Sequence, residues 1–377
     1  MQLSAFAQLK VGSEKLDEYL PLIQDKNVAV VANQTSTMSE GYLVDVLIDH
    51  YVGVVKVFSP EHGFRGAASA GEKVSDGKDP KTGLPIISLY GKNKKPSPEM
   101  LQDVDVVIFD IQDVGTRFYT YISTLSLVME ACAENNKMMI VLDRPNPNGH
   151  YIDGPVLEDG FESFVGMHHI PIVHGMTIGE YALMVNYECW LKDSVRCDLK
   201  VFVVDGYDHT MVFGLPIAPS PNLPTDEAIR LYPSLCLFEG TTVSVGRGTD
   251  KPFQQIGAPW MKDVFSEYSF TPEPNEGARN PKYEGEKCFG VDLTNFAKGF
   301  LTHYNQLYLF WLIEAYNTAP EKEKFFTNYF NKLAGNARLQ EQIKAGIPED
   351  EIRAGWQNDI REFKRIRRKY LLYPDFE

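Results

Sequence analysis

The chain has 377 residues, 44% of them apolar, enough for one large or two ordinary domains. Its formal net charge of −14 argues against nucleic acid as a partner, because phosphate-backbone binding relies on clustered Lys and Arg. No apolar run approaches the roughly 20 residues of a membrane helix, and Cys132, Cys189, Cys197, Cys236 and Cys288 lack any C-x-x-C spacing for zinc or redox work.

At the N-terminus, Ala5-Phe6-Ala7 before Gln8 has the A-x-A form of a signal-peptidase site with too little chain in front of it. We expect the tail of a signal peptide here, and hence a periplasmic or secreted protein; an ordinary frayed terminus is the alternative. Five apolar runs follow: "NVAVVAN" (27–33), "VVKVFS" (54–59), "VVIFDI" (106–111), "MMIVLD" (138–143) and "KVFVVD" (200–205). All are apolar on both faces, as a doubly covered parallel sheet requires. Helical periodicity lies between them at about 39–50, 97–103, 117–135 and 177–191, so the order predicts an α/β, Rossmann-like, doubly wound and mainly parallel sheet. Past about residue 217, "APSPNLPTDEAIRLYPS" and the Gly-rich "EGTTVSVGRGTDKPF" change the character of the chain, and helices are predicted at 302–317, 320–333 and 349–369. The division is residues 1–217 as the sheet domain and 218–377 as a smaller α+β auxiliary domain. The basic "FKRIRRKY" near the end has the spacing of a solvated helix face.

Ligands of such sheets bind where loops leave the carboxyl ends of the strands. Polar residues gather there: Asn33, Glu61, Asp110 with Asp113, and Asp143 with Arg144. The dinucleotide fingerprint G-x-G-x-x-G is missing after the first strand, so no nicotinamide or flavin cofactor is expected. In "SPEHGFRG", Pro60 stops the strand and Gly63 and Gly66 allow a tight loop that presents Glu61, His62 and Arg65. Glu61 either caps a helix or pairs with Arg65, or it serves chemistry at the mouth of the sheet. In "FDIQDVGTRFYTYISTL", Asp113 either caps the next helix or joins Asp110 and Glu61 as a carboxylate set whose mutual repulsion separates an acid from a base. Arg117 and Tyr121 follow on that helix. "LDRPNPNGHYIDGP" offers Arg144, Asn146 and Asn148 to a hydroxylated ligand, or is a rigid turn. His174 in "GMHHIPIVHGMT" suits the core or a substrate contact, and the spacing of the histidines matches no metal motif. Arg247, between glycines in "SVGRGTDKPF", suits a carboxylate or phosphate.

Taken together, "VANQTS", "SPEHGFRG", "FDIQDVGTRFYTYISTL", "LDRPNPNG", "PIVHGMTIGE", "PSPNLPT" and "EGTTVSVGRGTDKPFQQIGAPW" resemble the NamZ-type exo-β-N-acetylmuramidases, a glycoside hydrolase family. The resemblance runs from about residue 27 to the terminal "YLLY". It implies a Rossmann-like domain, a smaller auxiliary domain closing the active-site cleft between them, and release of N-acetylmuramic acid from the non-reducing end of peptidoglycan fragments; our own reading of the residues adds that no cofactor or metal is expected. The Glu of the family's "PEHG" motif, its proposed catalytic residue, falls on Glu61, with Asp113 and Asp110 as candidates to assist. Asn33, His62, Arg65, Arg117, Tyr121, Arg144, Asn146, His174 and Arg247 are the expected substrate contacts. Arg247, then Arg65 and Arg117, are the candidate partners of the sugar's lactyl carboxylate. Two other functions fit the residues: a sugar-binding protein without turnover, and a metal-dependent phosphoesterase using Asp110, Asp113 and the histidines.

Overall fold

The computed structural model describes residues 9–61, 63–65, 77–299, 301 and 305–377. Its centre is a seven-stranded sheet made of β1 (Asn27–Ala32), β2 (Gly53–Ser59), β3 (Gly77–Lys78), β4 (Pro85–Ser88), β5 (Val106–Asp110), β6 (Met138–Leu142) and β9 (Asp198–Phe202), in the spatial order β9-β6-β5-β1-β2-β4-β3. Every pairing is parallel except β3 with β4, an antiparallel edge. The chain leaves β1 toward β2 and then returns to its other side as β5. Strand order therefore reverses at β1, and the crevice lies at the carboxyl ends of β1, β2 and β5.

Both faces of the sheet are covered because both are apolar. Ala29, Val31, Val107, Phe109 and Val141 point into the larger core with α3 (Tyr121–Glu134) and α4 (Ile178–Tyr187). Their neighbours Val28, Val30, Ile108, Ile140 and Leu142 point into a second core with α1 (Leu16–Ile23) and α2 (Leu43–Asp49). This two-residue alternation is the pleat of a strand, and each of these Val, Ile, Leu and Phe side chains contributes about 1.5–3 kcal/mol on burial.

Several helices are shorter than their periodicity suggested, each for a local reason. The stretch before α2 forms a small hairpin, pairing Thr37 with Tyr42 and Met38 with Gly41. The start of α3 is delayed because Thr116 bridges to Val173 and the Arg117 amide donates to the Ile172 carbonyl. Residues 97–103 hold only a 3-10 turn, Glu99–Leu101. Thr177 begins α4 with a reciprocal capping box to Glu180.

Beyond a ribbon of β7 (Asp153–Val156) and β8 (Pro171–Val173), the remaining chain adds a three-stranded antiparallel sheet. It consists of β10 (Gln255–Ala258), β12 (Cys288–Asp292) and β11 (Ser269–Phe270), in that order, and is surrounded by helices α5 (Asp226–Leu235) to α12 (Gln357–Arg367). The helix expected at 320–333 is two, α8 (Lys322–Phe325) and α9 (Phe330–Ala334), since Phe326 turns extended to bridge Thr241. The helix expected at 349–369 is likewise α11 (Glu349–Ala354) and α12, and α10 (Arg338–Lys344) was not anticipated. One apolar core runs through both halves, from Ala29 to Phe363.

Candidate active site

The loop after β2 is shaped by the residues that end the strand. Pro60 lacks an amide proton to continue the ladder, Gly63 adopts φ 81°, and its amide donates to the Pro60 carbonyl at 3.3 Å. Arg65 anchors the loop. Its Nε and Nη2 donate to the two oxygens of Asp79, each at 2.8 Å, and Nη2 also reaches Asp45 Oδ1 at 3.1 Å. The guanidinium is further packed over Phe64 and Tyr42, and its hydrogen bonds hold the Asp79 carboxyl well below the usual carboxylate range. The expectation that Arg65 meets substrate is therefore corrected: two carboxylates already occupy it, and it holds the loop that carries Glu61. His62 and the tail-like residues Met1–Gln8 lie outside the described residues.

Glu61 opens onto a cavity of about 800 Å³ between the two halves of the chain. Tyr90 stands beside Glu61 and shares a hydrogen bond with it; burial, then the Glu61 charge, raise the Tyr90 phenol above its ordinary range. The facing wall carries Glu239, Arg247, Arg279 and Lys282. A smaller chamber of about 60 Å³ adjoins, lined by Glu61 and Arg247 again together with Tyr119, Tyr121 and Asn222. The Tyr119 and Tyr121 hydroxyls both donate to the Pro219 carbonyl, at 2.9 and 3.3 Å, which ties α3 to the "PSPNLPT" segment. Asn33 sits behind Tyr121, its Oδ1 accepting from the Thr35 amide and hydroxyl. Of the expected site residues, the structure thus assembles Glu61, Tyr121 and Arg247 around one opening.

Arg247 reaches it because Gly246 and Gly248 adopt φ 77° and 80°, and a Cβ on Gly248 would lie 2.6 Å from the Glu273 carbonyl oxygen. Its Nε and Nη2 fork onto Glu239 at 2.6 and 2.9 Å, and its ring-like plane lies 5.0 Å from the centre of Phe253. Glu239 is a second carboxylate of the cavity that sequence reasoning missed. Its one cue was its place eight residues ahead of Arg247 in the same Gly-rich segment. Lys282 and Tyr90 had no cue, each lying in an irregular stretch among several other polar residues with no spacing to single it out.

Five other expected site residues are corrected. Asp110 is fully buried in a bidentate pair with Arg144, Nε to Oδ1 at 2.6 Å and Nη2 to Oδ2 at 2.9 Å, and Arg144 also donates to the Thr37 carbonyl. Neither residue lines the cavity; they brace the ends of β5 and β6, with both Asp110 oxygens engaged by Arg144 and shut off from solvent. Arg117 is fully buried and donates to the carbonyls of Pro155, Ile170, Leu333 and Ala334. Asn146 donates to the Met176 carbonyl and accepts from the Asn148 amide, beneath Gly115. His174 takes the core role of the two left open: Nδ1 accepts from the Met176 amide, and burial draws its pKa down to about 3.

Asp113 lies behind the tyrosines rather than on the cavity wall. Oδ2 accepts from the Gly115 amide at 2.7 Å, and Oδ1 has no hydrogen-bond partner among the described residues. Burial pushes its pKa up to about 7 against the pull of two backbone amides. The unfolded chain ionises this carboxyl near pH 4. Between about pH 4 and 7 the folded protein keeps a proton the unfolded chain releases, so the wild type loses stability through that window and stays low above it. Asp113→Asn should accordingly gain roughly 2–4 kcal/mol on wild type between acidic and mildly alkaline solution, read by chemical denaturation. A difference that does not change with pH would mean the carboxyl is ionised when folded.

Two family models cover the chain: exo-β-N-acetylmuramidase NamZ, N-terminal, over residues 28–227, and its C-terminal counterpart over residues 230–373. The chain is 40% identical to the peptidoglycan β-N-acetylmuramidase NamZ of Bacillus subtilis (strain 168), over 95% of this chain and 89% of that protein. Among solved structures it resembles two DUF1343 family proteins of Bacteroides fragilis NCTC 9343. The first superposes with a TM-score of 0.91 at 44% identity, over 98% of this chain and all of the other. The second gives 0.82 at 32% identity, over 97% and 99%.

Proposed function

Because the chain belongs to the exo-β-N-acetylmuramidase NamZ family, we infer that it is a glycoside hydrolase that releases N-acetylmuramic acid from the non-reducing end of peptidoglycan fragments. The observation that carries the chemical part of this inference is Glu61, presented on an anchored loop to a cavity whose far wall is cationic. Glycoside cleavage needs a carboxylic acid to protonate the leaving oxygen while water delivers hydroxide to the anomeric carbon, directly or after an intermediate. In our reading Glu61 gives that proton. The partner that assists at the anomeric carbon is either Glu239, a second carboxylate among the described residues of the cavity wall, or the sugar's own 2-acetamido group. A fixed cation set beside an acid suits a sugar that carries its own carboxylate. Peptidoglycan as substrate and the A-x-A sequence at the N-terminus support a periplasmic or secreted location.

The test is cleavage of 4-nitrophenyl β-N-acetylmuraminide and of the matching N-acetylglucosaminide in the presence of a chelator. Release from the muraminide, undiminished by chelator, is the expected result. Binding without turnover would favour the sugar-binding protein, and turnover abolished by chelator the metal-dependent alternative.

A further inference from the structure

Among the cations expected to meet the lactyl group, Arg65 and Arg247 each hold a carboxylate of the protein, and Arg117 is sealed among four carbonyls. Arg247 does line the cavity, but the bidentate fork onto Glu239 already balances its charge.

Lys282 is placed differently. Its side chain is open to the cavity that Glu61 lines. The amine donates to the carbonyls of Thr241 at 2.6 Å and Val243 at 3.0 Å, which aims it and uses two of its three protons. Both acceptors are neutral, and among the described residues no carboxylate lies within ion-pair distance of it. The acceptors are themselves held: the Thr241 hydroxyl donates to the Phe238 carbonyl, and the Val243 amide donates to the Thr241 hydroxyl. Next to them, Gly240 packs directly on the backbone of Phe330, where an added Cβ would stand 2.4 Å from Phe330 Cα. Tyr283, the next residue, fastens the same segment by donating to the Thr242 carbonyl at 2.6 Å.

We propose that Lys282 is the specificity-determining residue of this site, its amine pairing with the lactyl carboxylate that distinguishes N-acetylmuramic acid from N-acetylglucosamine. The proposal rests on the muramidase function inferred above. An ammonium fixed by neutral oxygens on a cavity wall has no carboxylate in direct contact, Glu239 acting on it only from farther off while forked by Arg247, and a ligand carboxylate supplies the missing partner in a charge-assisted hydrogen bond. The protein around the amine already disfavours its charged form, chiefly by desolvation, and draws its pKa down to about 8. A bound carboxylate reverses that. A neutral sugar at the same position leaves the charge unpaired, which adds to the discrimination.

The experiment uses the full chain with Lys282→Met, Lys282→Gln and Lys282→Arg, each checked for folding by its thermal melt. Turnover is measured on the two 4-nitrophenyl glycosides, and binding of free N-acetylmuramic acid and N-acetylglucosamine by calorimetry. Lys282→Met should lose about 10- to 100-fold in kcat/KM and in affinity for the muramic sugar, the share of one charge-assisted pair. It should change little on the glucosamine sugar, and Lys282→Arg should recover most of the loss. Lys282→Gln still has two amide protons for the two carbonyls and replaces the Met variant if that one does not fold. Equal losses on both sugars, or none on either, would overturn the proposal. Wild-type protein that cleaves neither glycoside yet binds the muramic sugar through Lys282 would refute the hydrolase and leave this subsite standing. Wild-type turnover of the muraminide that Lys282→Met leaves intact would do the opposite.

Discussion

Glu61→Gln is expected to lower turnover of a substrate with a poor leaving group by about 10²–10⁴-fold, the range of general acid assistance, while the melting temperature stays where it is. Gln keeps the length of the side chain and can still accept from the Tyr90 hydroxyl that stands beside Glu61. What it lacks is the proton. The loss should shrink on an activated aryl glycoside, whose leaving oxygen needs little protonation. Near-normal turnover of a disaccharide fragment by this variant would move the acid elsewhere on the cavity wall, with Glu239 first in line.

The second large effect falls on stability. Arg144→Met should destabilise the protein by about 3–5 kcal/mol, because it leaves the Asp110 carboxylate buried without its partner. Asp110→Leu combined with Arg144→Met should recover much of that loss, since an apolar pair of similar volume removes both charges together. Denaturation midpoints of the single and double variants measure the difference. If Asp110 instead served the reaction, Asp110→Asn would fold as well as wild type and be inactive. The structure predicts the reverse weighting, a poorly folded variant whose folded fraction still turns over.

The strands were legible because burial on both faces leaves an unbroken apolar run, and five such runs need only pairing and order to make the sheet. Glu61 was legible for a related reason: Pro60 and two nearby glycines mark where a strand must give way to a loop, and the polar residue at that point has the crevice to face. Arg65, Arg117 and Arg144 were misjudged because a sequence shows where a charge is, not what answers it. Asp79 and Asp45 lie 14 and 20 residues from Arg65, and the carbonyls of Leu333 and Ala334 more than 200 from Arg117. Glu239 and Lys282 escaped notice through the same distance. They approach Glu61 only when the second half of the chain folds against the sheet, and no periodicity in either half records that approach.

The four carbonyls around Arg117 bear on how this chain can be cut or recombined. Two belong to the ribbon after β6, and two to the last turn of α9 in the other matched segment. Gly335 lets the two sides close, since a Cβ there would stand 2.5 Å from Arg117 Nη2. A fragment ending where the first family model ends would expose a guanidinium with half its acceptors gone, and the apolar residues that shelter it. Burial already draws that arginine's pKa down to about 9, so the cost of losing those acceptors falls on the fragment's folding. A chimera that exchanges the cation-bearing half between relatives, to alter which sugar is accepted, would therefore have to carry the "LAG" of residues 333–335 with the graft and keep Arg117 in the recipient.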